Sequence, residues 1–258
     1  MSFNHENLTV YQRTLSFNST VSRWTIQWDS KHAICDQLLR AAGSILENIA
    51  MASATYSAMK VRGLEYALGS CLECAACLDL ACIKKLITQN ELNSNKDELS
   101  QIFRMMMGLR RSWSNSSMSL KEEQREYSTK PIKSETISNA KPFFHHETLD
   151  IYQVAIGTAS SLCSSASVAG LPTPLFRRMD ELLTSILLNI AEGNGRFSCS
   201  DQSRFMGTTH ESSIKLAAKL DLYVIQDLIP EESVKIWKTS LERIALMASS
   251  LIANNQER

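Results

Sequence analysis

The chain reads as all-α: two tandem antiparallel four-helix bundles joined by a flexible linker. Glycine and proline are sparse, 9 and 5 among 258 residues, and apolar residues recur at helical spacing. The chain also repeats itself at a fixed offset. SILENIA at 44–50 and SILLNIA at 185–191 agree at six of seven positions and lie 141 residues apart. HENLTVYQ at 5–12 and HETLDIYQ at 146–153 agree at five of eight with the same offset. The division that follows is 1–113 for a first bundle, 114–145 for the linker and 146–258 for a second bundle. With 44% hydrophobic side chains, two modest cores can be filled.

The first helix is expected from about Asn7 to Trp28, with Leu8, Tyr11, Leu15 and Val21 inward and Trp24 and Trp28 sharing a face. Asp29 or Ser30 is placed to cap the next helix, whose stripe is Ile34, Leu38, Ala41, Ala42, Ile45 and Ile49. A third helix from about Lys60 to Ile87 carries Cys71, Cys74, Cys77 and Cys82. That spacing invites an iron–sulfur reading, but the segment is Ala- and Leu-rich, favours helix throughout and lacks the proline of ferredoxin-type loops. The cysteines are expected to pack, with Cys71, Cys74 and Cys82 on one face and Cys77 apart. A fourth helix, from about Lys96 to Trp113, turns Leu99, Ile102, Phe103, Met106 and Leu109 to one side.

Serines, mixed charges, Pro131 and Pro142 break the periodicity over 114–145. Phe143 and Phe144 are expected to tuck against the second bundle, and His145 and His146 to lie on the surface. The second copy repeats the plan: helices over about Thr148 to Ala166, from the GLPTP loop to Glu192, Ser200 to Gln226, and Pro230 to Ala253. Around SILLNIA the stripe is Leu175, Met179, Leu182, Leu183, Ile186 and Ile190. Asn189 and its counterpart Asn48 sit on the shoulder of their stripes, either capping a backbone group or fixing helix register. Gly193 and Gly195 are expected to end their helix with left-handed backbone, and Ser200 or Asp201 to cap the next.

The run NIAEGNGRFS at 189–198, with Arg204-Phe205 beyond it, resembles the four-helix-bundle proteins encoded by intervening sequences in bacterial 23S ribosomal RNA genes. The superfamily includes the Avd accessory proteins of diversity-generating retroelements. Its pattern is a Val/Ile-Tyr-Gln opening, a second helix ending NIAEGxGR, and a third helix with Gly-Ser and a Glu. Each copy holds a different part. The second has Asn189, Glu192, Gly193, Gly195 and Arg196 but reads HESSIK in its third helix. The first has Gly69-Ser70 and Glu73 but reads IAMASATYS where NIAEGxGR would end. The resemblance implies symmetric ring assembly and, from the Avd branch, partnership with a reverse transcriptase and its RNA.

Twenty-seven basic residues balance 27 acidic ones, so no global field attracts polyanions. Basic candidates for nucleic-acid or partner contact are Lys84, Lys85, Arg104, Arg110 and Arg111 in the first copy, and Arg177, Arg178, Arg196 and Arg204 in the second. Neither a nucleophile elbow, a phosphate loop nor an HExxH motif is present, so no catalytic residue, cofactor or metal is expected. The amino terminus has no signal-peptide pattern, and no run of 18 uninterrupted apolar residues suggests a membrane span. Seven cysteines, an odd number, point to the reducing cytoplasm. The expected role is non-enzymatic, an interaction or assembly protein that binds itself or another protein. The alternative is a nucleic-acid-binding accessory of a reverse transcriptase.

Overall fold

The computed structural model describes residues 4–55, 57–115 and 142–256. Most of the expected linker, including Pro131, lies outside the described residues; 114–115 belong to a helix and 142–145 are placed. Among the described residues there is no strand. Four long helices form the first half: α1 (Thr9–Gln27), α2 (Ile34–Ala54), α3 (Ser57–Ile83) and α4 (Gln89–Asn115). The second half has α5 (Asp150–Cys163), the short α6 (Ala166–Ala169), α7 (Thr173–Asn194), α8 (Cys199–Ile225) and α9 (Glu231–Gln256). α1 packs on α2 and α4, and α3 on α2 and α4. The second half repeats this with α5, α7, α8 and α9.

Both SILxNIA stripes are buried as their spacing demands; Ile45, Ile49, Ile186 and Ile190 are all at most 1% exposed. α1 is turned partly from its expected setting. Val21 is buried as expected and Leu8 and Tyr11 pack against the rim of the core, but Leu15 is exposed and Val10, Thr14 and Phe17 fill the centre. The buried residues step by four, three and four, a more regular stripe than the expected one, and they bring the larger Phe17 inward. Trp24 and Trp28 stack with ring centroids 6.1 Å apart, as their spacing requires.

Several ends differ from the sequence reading. Neither Asp29 nor Ser30 caps α2; the Ala33 N–H donates instead to Asp180 Oδ2 of α7, at 2.8 Å. A carboxylate from another helix thus fills the anion site at this helix amino end. α8 is capped by Ser198, whose Oγ accepts from the Asp201 N–H, two residues before the expected cap. No glycine among the described residues has positive φ, so Gly193 and Gly195 do not act through left-handed backbone. Gly193 lies inside α7, and Gly195 just beyond it has φ of −82°.

The two halves share one continuous core because α3 also packs on α7 and α5. α3 is apolar nearly all round, which is the mark of a helix buried on every side. By length and composition the segment Met59–Ile83 could cross a membrane, but 72% of its apolar window is buried among the other helices. Cys77, expected to stand apart, is as fully buried as Cys71 and Cys74, because the second half covers that side of α3; Cys82 is at the edge. Burial pushes the Cys71, Cys74 and Cys77 thiols up, so they behave as small apolar groups. Cys71 Sγ donates to the Leu99 carbonyl of α4 at 3.4 Å.

Polar contacts stitch the junction at its rims. Lys84, just after α3, forms an ion pair with Asp180, and both side chains are buried, at 2% and 1% exposure. Phe144 is buried and meets Phe103 of α4 edge-on at 5.8 Å, so it seals the junction and does not serve the second half alone. Asp180→Ala removes the cap on α2 and leaves the Lys84 ammonium buried without its partner. The expected loss is about 3–5 kcal/mol, read as a fall in the urea midpoint. Lys84→Met in the Asp180→Leu background should recover much of it, since an apolar pair leaves no buried charge.

Candidate functional site

One polar triad occurs in each half. Ser44 and Ser70 hydroxyls lie 2.8 Å apart between α2 and α3, and Asn48 Nδ2 donates to the Ser44 carbonyl at 2.8 Å and to its Oγ at 3.1 Å. Ser185 and Ser212 lie 2.9 Å apart between α7 and α8, with Asn189 Nδ2 donating to the Ser185 carbonyl at 2.7 Å and its Oγ at 3.2 Å. Each Asn therefore orients a serine that ties two helices together. Of the two roles expected, each Asn thus shows the bond to a neighbouring backbone group, within its own helix and away from its ends, and reaches the partner helix only through the serine.

The motif fragments held separately by the two copies meet across α3 and α7. Arg196, in the turn after α7, lies against Gly69 of α3; a Cβ at Gly69 would come 3.1 Å from its Cζ. Its guanidinium pairs with Glu192 and faces the rings of Tyr66 at 5.4 Å and Phe205 at 4.9 Å. Gly195 is glycine because a Cβ would overlap the Leu72 Cδ1 methyl of α3. Gly193 likewise leaves room for Phe205 and Met206, each 2.8 Å from where its Cβ would stand. Both glycines serve close approach between helices.

Glu73 of α3 faces Glu192 of α7, with Arg196 and Arg40 nearby. Burial, and then the neighbouring Glu192 charge, push the Glu73 carboxyl up to about 7, against the pull of the two arginines. The two acids share this partly dry site, so protonation of Glu73 relieves it near neutral pH.

The basic candidates divide in two. Lys84 is buried against Asp180, so the surface role expected for it is withdrawn. Arg196 is 10% exposed and held by Glu192, and Arg110 bonds Glu65 at 2.8 Å while lying 4.1 Å above the Phe197 ring. Lys85, Arg104, Arg111, Arg177, Arg178 and Arg204 are exposed and scattered over the surface. Arg177 and Arg178 both pair with Glu181. What the structure assembles instead is a groove of about 390 Å³ lined by Arg62, Glu65, Tyr66, Arg196, Phe197 and Asp201. Tyr66 and Phe197 are each 38% exposed, and Arg62 Nε donates to the Tyr66 hydroxyl at 3.0 Å. Sequence reasoning missed Arg62 and Tyr66, one turn apart on α3, and Phe197, in the turn between α7 and α8, because only the packing of the two halves brings them together.

A family model described as 23S rRNA-intervening sequence protein matches residues 6–108, which span α1 to most of α4. Residues 6–108 are similar to this family. Comparison with curated proteins and with solved structures gives no match. Within the stretch matched to the 23S rRNA-intervening sequence proteins fall Asn48, Gly69, Ser70 and Glu73, the first-half members of the arrangement above.

A second polar cluster lies where the first half docks on the other. His146, expected on the surface, is fully buried between Phe144 and the edge of Tyr152, because the 3-10 turn over His145–Thr148 folds it into the junction. Neither of its ring nitrogens makes a hydrogen bond among the described residues. Burial, with Lys96 and His145 adding to it, holds its pKa well below the usual histidine range, so the ring is neutral. Asp79, His146 and Glu147 bring ligand-type atoms within 4.8 Å of one another. Lys96 Nζ already lies 2.6 Å from Asp79 and 2.8 Å from Glu147, so the cation this cradle holds is an ammonium. Burial lowers the Lys96 pKa, but the two carboxylates overcome it and hold the group charged. The Tyr152 hydroxyl completes the set, donating to Asp79 Oδ2 at 2.8 Å.

Glu73 gives a pH test. Its folded pKa of about 7 exceeds its ordinary 4.5, so the folded state binds the proton more tightly and stability falls as pH rises through this window. Glu73→Gln should match wild type at pH 4 and exceed it above pH 7 by up to ~3 kcal/mol, measured by urea unfolding at each pH. Gly195→Ala should cost about 1–3 kcal/mol through overpacking. Adding Leu72→Ala should return part of that loss in a double-mutant cycle, because the clash is with that side chain.

Proposed function

We propose that this chain is a non-enzymatic helical interaction protein, a scaffold or accessory subunit built by tandem duplication of one four-helix bundle. On this reading residues 1–113 and 146–258 are the two descendants, 114–145 connects them, and the protein works in the reducing cytoplasm. The matched Ser–Ser–Asn triads support the duplication, because the same three-residue hydrogen-bond pattern recurs at an offset of 141–142 residues. Seven free cysteines suit a reducing compartment. The observation that carries the role is the α3–α7 junction itself. There the family motif is used to hold one helix bundle against another, with glycines set for close approach and charges paired across the contact. An assembly protein should show a mass above 28.9 kDa by light scattering. A chain that stays at that mass at every concentration and retains no protein partner would end this reading.

A second, Avd-like reading, accessory to a reverse transcriptase and its RNA, is favoured by the groove of Arg62, Tyr66, Arg196 and Phe197. Half-exposed rings flanked by arginines are the arrangement on which unpaired bases stack. Titration with a single-stranded RNA should then show log affinity falling against log salt with a slope of about −0.7 per neutralised phosphate. Tyr66→Ala and Phe197→Ala should each weaken binding by roughly 5- to 100-fold. Absence of any binding at low salt removes this reading.

A further inference from the structure

Where the two halves meet they leave a cavity of about 350 Å³. On α4, Ser100, Phe103, Arg104 and Met107 border it, spaced by three, one and three residues and therefore on one face of the helix. Leu72 of α3 adds to the wall. Phe143 and Phe144 reach it from just before the His145–Thr148 turn, and Phe197 from the turn after α7. Packed interiors leave few gaps larger than a water molecule, and this one is many times the roughly 30 Å³ that a water occupies.

The lining sets what the cavity can hold. Four phenylalanine rings and a methionine give apolar walls suited to a flat apolar body. The Arg104 guanidinium is exposed at the edge and pairs with no carboxylate among the described residues. No acidic side chain among those residues lines the cavity, so its one fixed charge is positive. The Ser100 hydroxyl and the Asn194 amide, 3.3 Å from His145 Nδ1, add a few hydrogen-bonding groups. An apolar concavity with a small number of convergent polar groups is the common form of a small-molecule site, and a planar guanidinium matches a carboxylate.

We propose that this cavity binds a small aromatic carboxylate, its ring among Phe103, Phe144 and Phe197 and its carboxylate on Arg104. Such a ligand touches both halves at once, so its binding strengthens their docking. The site belongs to the docked pair and not to the repeat unit. Three of its four rings lie outside the stretch 6–108 matched to the family. At the offset of 142 that aligns the buried stripes of α4 and α9, Glu242, Ala245, Leu246 and Ser249 stand where Ser100, Phe103, Arg104 and Met107 do, with neither ring nor cation. The inference does not depend on the assembly reading.

Titration calorimetry of the full chain with naphthalene-2-carboxylate tests this, with naphthalene-2-carboxamide as the neutral control. Wild type should bind one carboxylate per chain, prefer it to the amide by roughly 10- to 100-fold, and unfold at higher urea when saturated. Arg104→Gln, at an exposed position, should lose the preference and still bind the amide. Met107→Trp fills the cavity and should bind neither probe, with circular dichroism checking that both variants fold. Equal affinity for the two probes in wild type, or a preference that survives Arg104→Gln, overturns the carboxylate assignment. No saturable binding at millimolar probe, or undiminished binding by Met107→Trp, overturns the site. If the probe binds only to a chain whose residues 116–141 are replaced by a Gly-Ser segment of equal length, the occupant is the chain's own linker and the proposal fails.

Discussion

A helix without a polar face is stable only where other helices cover every side of it, and α3 is such a helix. One four-helix bundle covers two of its flanks, with α2 and α4. The remaining side, where Leu72, Ala76, Cys77 and Leu80 are each at most 4% exposed, is closed by α7 and α5. At roughly 25 cal/mol per Å² of apolar surface, leaving that side wet would be a heavy cost for a domain of this size. The first half therefore depends on the second, although its own ring of four helices is complete. The rim contacts follow from this. Once the apolar strip is covered, Lys84, Asp79 and Lys96 are drawn out of water with it, and Asp180, Glu147 and Tyr152 of the other half supply the partners their burial demands.

Local periodicity made much of the fold legible. The SILxNIA stripes, the α4 stripe and the existence of the long helices can be read because each depends on residues within a few turns of one another, whereas ends are less legible: α4 begins at Gln89, two turns before the expected Lys96. Phase in α1 was less secure, since Tyr11 and Leu15 offer a local stripe that competes with Val10 and Phe17. What could not be read were the consequences of docking. His146 and Lys84 look like surface residues by type, and only a distant chain segment makes their burial tolerable. Gly193 and Gly195 follow the local rule for helix ends, yet the reason for them lies on α3 and α8, out of reach of any sequence window. The groove of Arg62, Tyr66 and Phe197 has the same origin: α3 contributes the first two and the distant turn after α7 the third.

The division of the family motif between the copies has a physical explanation in the same junction. Gly69 and Glu73 sit on the face of α3 that meets α7, and their counterparts at the repeat offset are Glu211 and Lys215 on the open face of α8. Gly195 and Arg196 sit where α7 meets α3, and their counterparts are Ala54 and Thr55 at the end of α2. Each fragment persists on the side that takes part in the internal contact and is altered on the side that does not. A residue needed for close approach is constrained only while something approaches; with that neighbour gone, a glycine can become a helix former with gain in local stability.

The triads behave differently, and the contrast is informative. Ser44, Asn48 and Ser70 match Ser185, Asn189 and Ser212 because they act inside each half, between helices that both copies still pack together. The agreement inside each half and the difference outside follow what each residue contacts. The outer faces differ where the triads agree: Leu72 and Leu80 of α3 are buried while Ile214 and Leu222 of α8 are 53% and 38% exposed among the described residues, and the buried Asp180 of α7 stands where α2 has the exposed Leu39. A side chain on an outer face is set by what that face meets, so the two halves can differ there without disturbing the helix contacts inside either one.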